Sequence, residues 1–234
     1  MTSMCAEESR SAKDSQGHVP TTFTISPKIV DFHISPVDFL ASRPDIHNIV
    51  AGTMVFRPGS ITSPSTSNPE VLLLRRAASD SFPLKWEIPA GTADPSIDRS
   101  IIGIAVRELW EETHLRARRL HQTVGLGTPS DALHLTSSVG EVQDARMDSE
   151  YSICLLRVAG LTWAIVAFLT EVEDELSEIV LREDEHVDWA WLTENEVETG
   201  FFRDRPGKSL DMVSEAMKIM VLEGFRLMKE IAHE

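Results

Sequence analysis

Apolar positions fall into short runs divided by polar stretches that carry Pro and Gly. Ile49 to Phe56, Val71 to Arg75, Leu120 to Leu126, Tyr151 to Val158, Thr162 to Val172 and His186 to Leu192 read as strands. Two stretches carry a helical period instead, about Asp98 to His114 and roughly Ser209 to Ile231. Arg57 to Pro69 is rich in Ser, Thr, Pro and Gly and reads as the long tip of a hairpin. Pro20, Pro27, Pro36 and Pro44 exclude a long helix in residues 19–47 and predict short edge strands and turns. Residues 1–18 are polar and read as a disordered tail; residues 19–234 read as a single domain ending in the C-terminal helix. Strands, one central helix, more strands and a terminal helix indicate an α/β layered fold with a mixed sheet.

Composition narrows the function. The net charge is −15, and Glu171 to Glu198 alone holds 12 Asp/Glu against Arg182. That block reads as a solvated surface, and no nucleic-acid partner is expected from so acidic a chain. Eight basic residues lie between Arg75 and Arg119, so a local basic patch beside an acidic site is compatible with the low pI. Cys5 and Cys154 make no disulfide framework and suit a reducing compartment, cytoplasmic or nuclear. The apolar stretch from Leu161 to Leu169 is too short to span a bilayer, so no membrane partner is expected. Cys154, in an apolar strand, reads as an inert buried thiol. The Met-bearing stripe of the last helix (Met212, Met217, Met220, Met228) reads as core packing, with a homodimer surface as the alternative.

The chemistry concentrates in Arg107-Glu108-Leu109-Trp110-Glu111-Glu112. On a helical wheel Glu108, Glu111 and Glu112 share an arc of about 100°, while Ile102, Ala105, Val106, Leu109 and Trp110 form a packing face. Ile101 and Ile104 fall near the acidic arc and do not fit that simple division. Two carboxylates about 5 Å apart repel by roughly 3 kcal/mol at an effective dielectric near 20. A hard divalent cation such as Mg²⁺ offsets that repulsion, and Arg107 is spaced to hold Glu111. An acidic helix face turned to water is the plainer alternative. The Pro-Ala-Gly turn before the helix brings backbone amides beside the carboxylates, where they could meet phosphate.

Over about Ile49 to Leu192, and most strongly over Trp86 to Leu115, the chain resembles the Nudix hydrolase family. Gly91 matches the first Gly of the family box; Arg107, Glu108, Leu109, Glu111, Glu112 and Leu115 match its second half. Trp86-Glu87-Ile88-Pro89-Ala90-Gly91 looks like the strand and loop that lead into it. The chain departs from the box in three ways. Gly91 to Arg107 is two residues longer than usual. The first Glu is missing, with Arg99 in its place and Asp98 beside it. His114 replaces the late Gly.

The resemblance implies a Nudix-type α/β/α sandwich and a pyrophosphohydrolase using Mg²⁺ or Mn²⁺. It implies Glu108, Glu111 and Glu112 as metal ligands. Glu111 or Glu112 is the expected proton acceptor, with Asp144 and Asp148 of the polar segment Glu141 to Glu150, otherwise read as a plain loop, and Glu171 and Glu173 as alternatives. Trp86, Glu87, Gly91, Arg75 and Lys85 are candidate substrate contacts; Trp86 is equally readable as a core anchor, and Arg116 is a further candidate for phosphate. The implied partner is a small-molecule diphosphate, first an ADP-ribose-like nucleotide sugar. The alternative from another class is a Nudix-fold binding or regulatory module that hydrolyses nothing.

Overall fold

The computed structural model describes residues 22–59, 68–127, 142–175 and 177–231, with backbone alone at 142–144. The expected tail, Cys5, residues 60–67 of the expected loop and Glu141 lie outside them. The strands are β1 (Thr24–Ile25), β2 (Asn48–Arg57), β3 (Glu70–Arg76), β4 (Trp86–Glu87), β5 (Ala90–Thr92), β6 (Ala117–Val124), β7 (Val142–Asp148), β8 (Ile153–Val158), β9 (Leu161–Val172) and β10 (His186–Thr193). The helices are α1 (Pro36–Ser42), α2 (Ile101–Thr113), α3 (Glu194–Thr199) and α4 (Glu215–Ile231). One mixed sheet runs β1-β6-β9-β2-β3-β10, with β8 on β9 and β7 on β8. The β2–β9 and β1–β6 pairs are parallel and the others antiparallel.

Both faces of the sheet are covered, and strand alternation divides the core between them. On β9, Ala164, Val166 and Phe168 join one cluster with α2, while Ile165, Ala167 and Leu169 join the other with α4. On β3, Leu72 and Leu74 face the first cluster and Val71 and Leu73 the second. This is the expected α/β/α arrangement. Ile101 and Ile104 are fully buried in one cluster with Ile29, Phe32 and Phe39 from residues 27–42, and the Ile101 N–H donates to Ile34 O.

Three local expectations needed correction. Residues 19–47 hold helical turns as well as a short strand: Ser35 caps α1 by accepting from the Asp38 N–H, with Pro36 at the first helical position. The last helix starts at Glu215, not Ser209, because the preceding backbone pairs with Trp86 instead: Trp86 N–H donates to Asp211 O and Val213 N–H to Trp86 O. Residues 142–148 form a strand, although their polar sequence reads as a loop. Backbone pairing with β8 supplies the order there, through pairs such as Ala145↔Leu156 and Asp148↔Ile153.

The site grows from an opening in this sheet. β2 and β3 pair only at Phe56↔Val71 and Arg57↔Glu70. They then part, and the wedge is filled by β5 on β2 (Ala51↔Gly91) and β4 on β3 (Leu74↔Glu87). Among the described residues no helix is long and apolar enough to cross a membrane.

Candidate metal-binding active site

Helix α2 begins at Ser100, whose hydroxyl accepts from the Gly103 N–H. It ends at His114 in the left-handed conformation, φ 58°, with the ring against Trp110 and Nδ1 3.2 Å from Val180 O. His114 therefore terminates the helix where the family places Gly, and it does not line the cavity described below.

The helix aims Glu108 and Glu112 at the wedge. Glu112 is 3% exposed and accepts from the Ala90 N–H at 3.0 Å. Glu108 is 7% exposed and lies against Gly91. A Cβ added at Gly91 would sit 2.1 Å from the Glu108 carboxylate, so only glycine allows this approach. Glu87 enters from β4, paired with Arg76, and its Oε1 is 3.4 Å from His186 Nε2. His186 Nε2 is 4.0 Å from Glu112 Oε1. Ligand atoms of Glu112, Glu185 and His186 all lie within 4.8 Å of one another.

These groups line a cavity of about 610 Å³. Its apolar lining includes Val50, Leu156, Trp163, Ile165, Met217 and Met220. Of the expected site residues, the structure brings Glu87, Gly91, Glu108 and Glu112 to this cavity. Glu111 is elsewhere: it is a third exposed and faces Arg107 Nη1 at 3.1 Å and Arg182 Nη1 at 3.6 Å. Arg182 also reaches Glu185 Oε1 at 3.2 Å. Trp86 is 3% exposed and packs on Phe202, with centroids 5.3 Å apart. Neighbours along a strand face opposite ways, so Glu87 at the cavity sends Trp86 to the core. Arg75 donates to Leu84 O, and neither it nor Lys85 lines the cavity; Arg76 does. Of the alternative bases, Asp148 and Glu171 are paired, Glu173 does not line the cavity, and the Asp144 side chain lies outside the described residues. Asp148 pairs with Arg43 at 2.8 Å, and Glu171 with Arg118 and His121. Arg116 lies over the Trp110 ring.

Reading the sequence missed Glu185 and His186. Both sit in the acidic block taken for solvated surface. The available signal was their position at the start of a strand that also carries Trp189 and Trp191.

Electrostatics mark the site as short of positive charge. Burial, opposed by Arg107, pushes the Glu108 carboxyl up to about 7. Burial, then Glu87 and Glu108, holds Glu112 well above the usual carboxylate range. Arg107 grips Asp98 with both Nε and Nη2 at 3.0 Å, and Glu108 at 2.7 Å, so its charge is already shared. The residues fit a divalent cation. The donors are carboxylates and an imidazole, and the buried His186 Nδ1 has no hydrogen-bond partner among the described residues. For the metal-free protein this sets a pH dependence. Between pH 4.5 and about 7 the unfolded chain has lost the Glu108 proton while the folded chain keeps it. Stability should therefore fall across that window, by something of the order of 3 kcal/mol from this residue. The lowered carboxylates, such as Glu171 and Glu196, act below it. Urea unfolding in chelator at about pH 5 and about pH 8 checks the sign; a rise with pH would contradict it.

Among curated proteins none matches the sequence. Similar solved structures include a MutT protein from Methanosarcina mazei Go1, at 16% identity and TM-score 0.47, covering 80% of this chain and 97% of that one. An Ap4A hydrolase binary complex from C. elegans matches at 15% identity and TM-score 0.46, covering 80% and 100%. The NUDIX domain of Shewanella oneidensis NrtR, complexed with ADP ribose, matches at 15% identity and TM-score 0.49, covering 84% and 99%. The NUDIX domain model matches residues 61–211, well over half of the chain, and the chain belongs to the Nudix hydrolase family.

Proposed function

We propose that this Nudix hydrolase uses Mg²⁺ or Mn²⁺ to cleave the diphosphate of a nucleoside diphosphate linked to another moiety, with an ADP-ribose-like nucleotide sugar as the first substrate to test. The observation that carries this reading is the charge of the cavity. Asp80, Glu87, Glu108, Glu112, Asp184 and Glu185 line it. The facing guanidinium, Arg76, is already bound to Glu87, Asp80 and Ser81. A diphosphate entering alone would be repelled, and a divalent cation held among the carboxylates offsets that repulsion where the phosphates meet it. Bound there, such an ion would supply an acidified water and neutralise charge on the phosphate oxygens.

The chain's own residues do the remaining work. Glu112, Glu108, Glu185 and His186 would hold the ion. Of the two carboxylates expected to take the proton, Glu112 is at the cavity and Glu111 is committed to arginines. The apolar lining receives the rest of the substrate and excludes water; the cavity's size falls within the range of small-molecule sites.

The test is turnover of a panel of diphosphates with Mg²⁺ or Mn²⁺, run beside Glu112→Gln. ADP-ribose should be split to AMP and ribose phosphate by the wild type alone. Faster turnover of another diphosphate would move the substrate class. Equal inertness of wild type and variant on the whole panel would favour the binding-module reading.

A further inference from the structure

We propose that His186 is a nitrogen ligand of this metal site and makes it prefer Mn²⁺ and the later first-row divalent ions to Mg²⁺; the inference rests on the metal-site reading above. The His186 side chain is 2% exposed, yet its Nδ1 has no hydrogen-bond partner among the described residues. An imidazole buried without pairing both nitrogens calls for a reason. Its Nε2 lies between two carboxylates, Glu87 at 3.4 Å and Glu112 at 4.0 Å. Glu87 Oε1, which also accepts from Arg76, is within hydrogen-bond reach of Nε2, so Nδ1 is the nitrogen left unpaired among the described residues.

The ring is also well placed. His186 opens β10, opposite Arg76 of β3, with its N–H on Arg182 O at 2.9 Å. A register irregularity between His186 and Asp188 turns the strand there. The imidazole thus stands on a strand rather than on a loose loop, within 4.8 Å of the donor atoms of Glu112 and Glu185. Mg²⁺ favours oxygen ligands and keeps its waters, whereas imidazole suits Mn²⁺ less than Co²⁺, Ni²⁺ or Zn²⁺ but better than it suits Mg²⁺. Replacing one oxygen donor by nitrogen therefore tilts an otherwise carboxylate site away from Mg²⁺.

The full chain, titrated with Mn²⁺ by electron paramagnetic resonance and with Mg²⁺ in competition, tests this. Mn²⁺ should bind about tenfold or more tighter than Mg²⁺. Pulsed resonance of the Mn²⁺-loaded protein should show ¹⁴N coupling. In His186→Gln the coupling should vanish and Mn²⁺ affinity fall about tenfold, with Mg²⁺ affinity changed less than about threefold. Bound Mn²⁺ without ¹⁴N coupling in the wild type overturns the inference and leaves the metal-site reading intact. So does an equal loss of both ions in the variant. Failure of the wild type to bind either ion overturns both. The wild-type coupling decides the matter even where the variant does not fold.

Discussion

Glu112→Gln is expected to lower diphosphate hydrolysis by about a thousandfold or more, since a metal site supplies several kcal/mol of charge stabilisation. The same change should leave the metal-free fold at least as stable. Gln keeps an acceptor for the Ala90 N–H, and it removes a carboxylate whose charged form burial opposes. Mn²⁺ affinity should drop with the activity. Glu111→Gln should cost much less, because that side chain is a third exposed and faces Arg107 and Arg182 outside the cavity. Steady-state kinetics, metal titration and thermal unfolding of both variants separate the cases. Equal losses at the two positions, or a Glu112→Gln protein that melts well below wild type, would contradict the geometry described here.

That asymmetry shows how far the sequence could be read. The wheel placed Glu108, Glu111 and Glu112 on one arc, and this is where local periodicity is strongest: α2 is a capped helix with an apolar face. Periodicity says which residues share a face. It does not say which arginine a side chain on that face will meet, because Arg182 is distant in sequence and approaches only through the fold. Glu185 and His186 were hidden for the same reason. In sequence they are part of an acidic run. In space, the pairing of β10 with β3 brings His186 opposite Arg76 and next to Glu87, with Glu185 near it. Strands that are near-continuous apolar runs, such as β2, β3 and β9, were legible because burial on both faces demands apolar residues. β7 was not, since backbone pairing at an edge asks little of its side chains. Trp86 was ambiguous until the strand pairing placed Glu87 at the cavity.

Arg107→Leu is expected to destabilise the metal-free protein by about 3–5 kcal/mol, the usual consequence of stripping the partner from a buried charge. The Asp98 side chain is 3% exposed and is held by two guanidinium nitrogens at 3.0 Å. The same guanidinium touches Glu108 and Glu111, so its loss leaves three carboxylates with less positive charge nearby. Asp98→Asn in the Arg107→Leu background should recover part of the loss, because the amide oxygen can still accept from the Asp94 N–H without carrying a charge. A double-mutant cycle in urea measures the coupling; losses that simply add would mean the pair is not a unit. Divalent metal should raise the melting temperature of Arg107→Leu more than that of wild type, since a cation then does part of the guanidinium's work. The pair also accounts for the box that departs from the family spacing. The first Glu is absent, yet Asp98, next to the position where it would align, receives the box arginine from a segment two residues longer. Asp98 thus holds Arg107 through two guanidinium nitrogens, while Glu108 and Glu112 stay at the cavity.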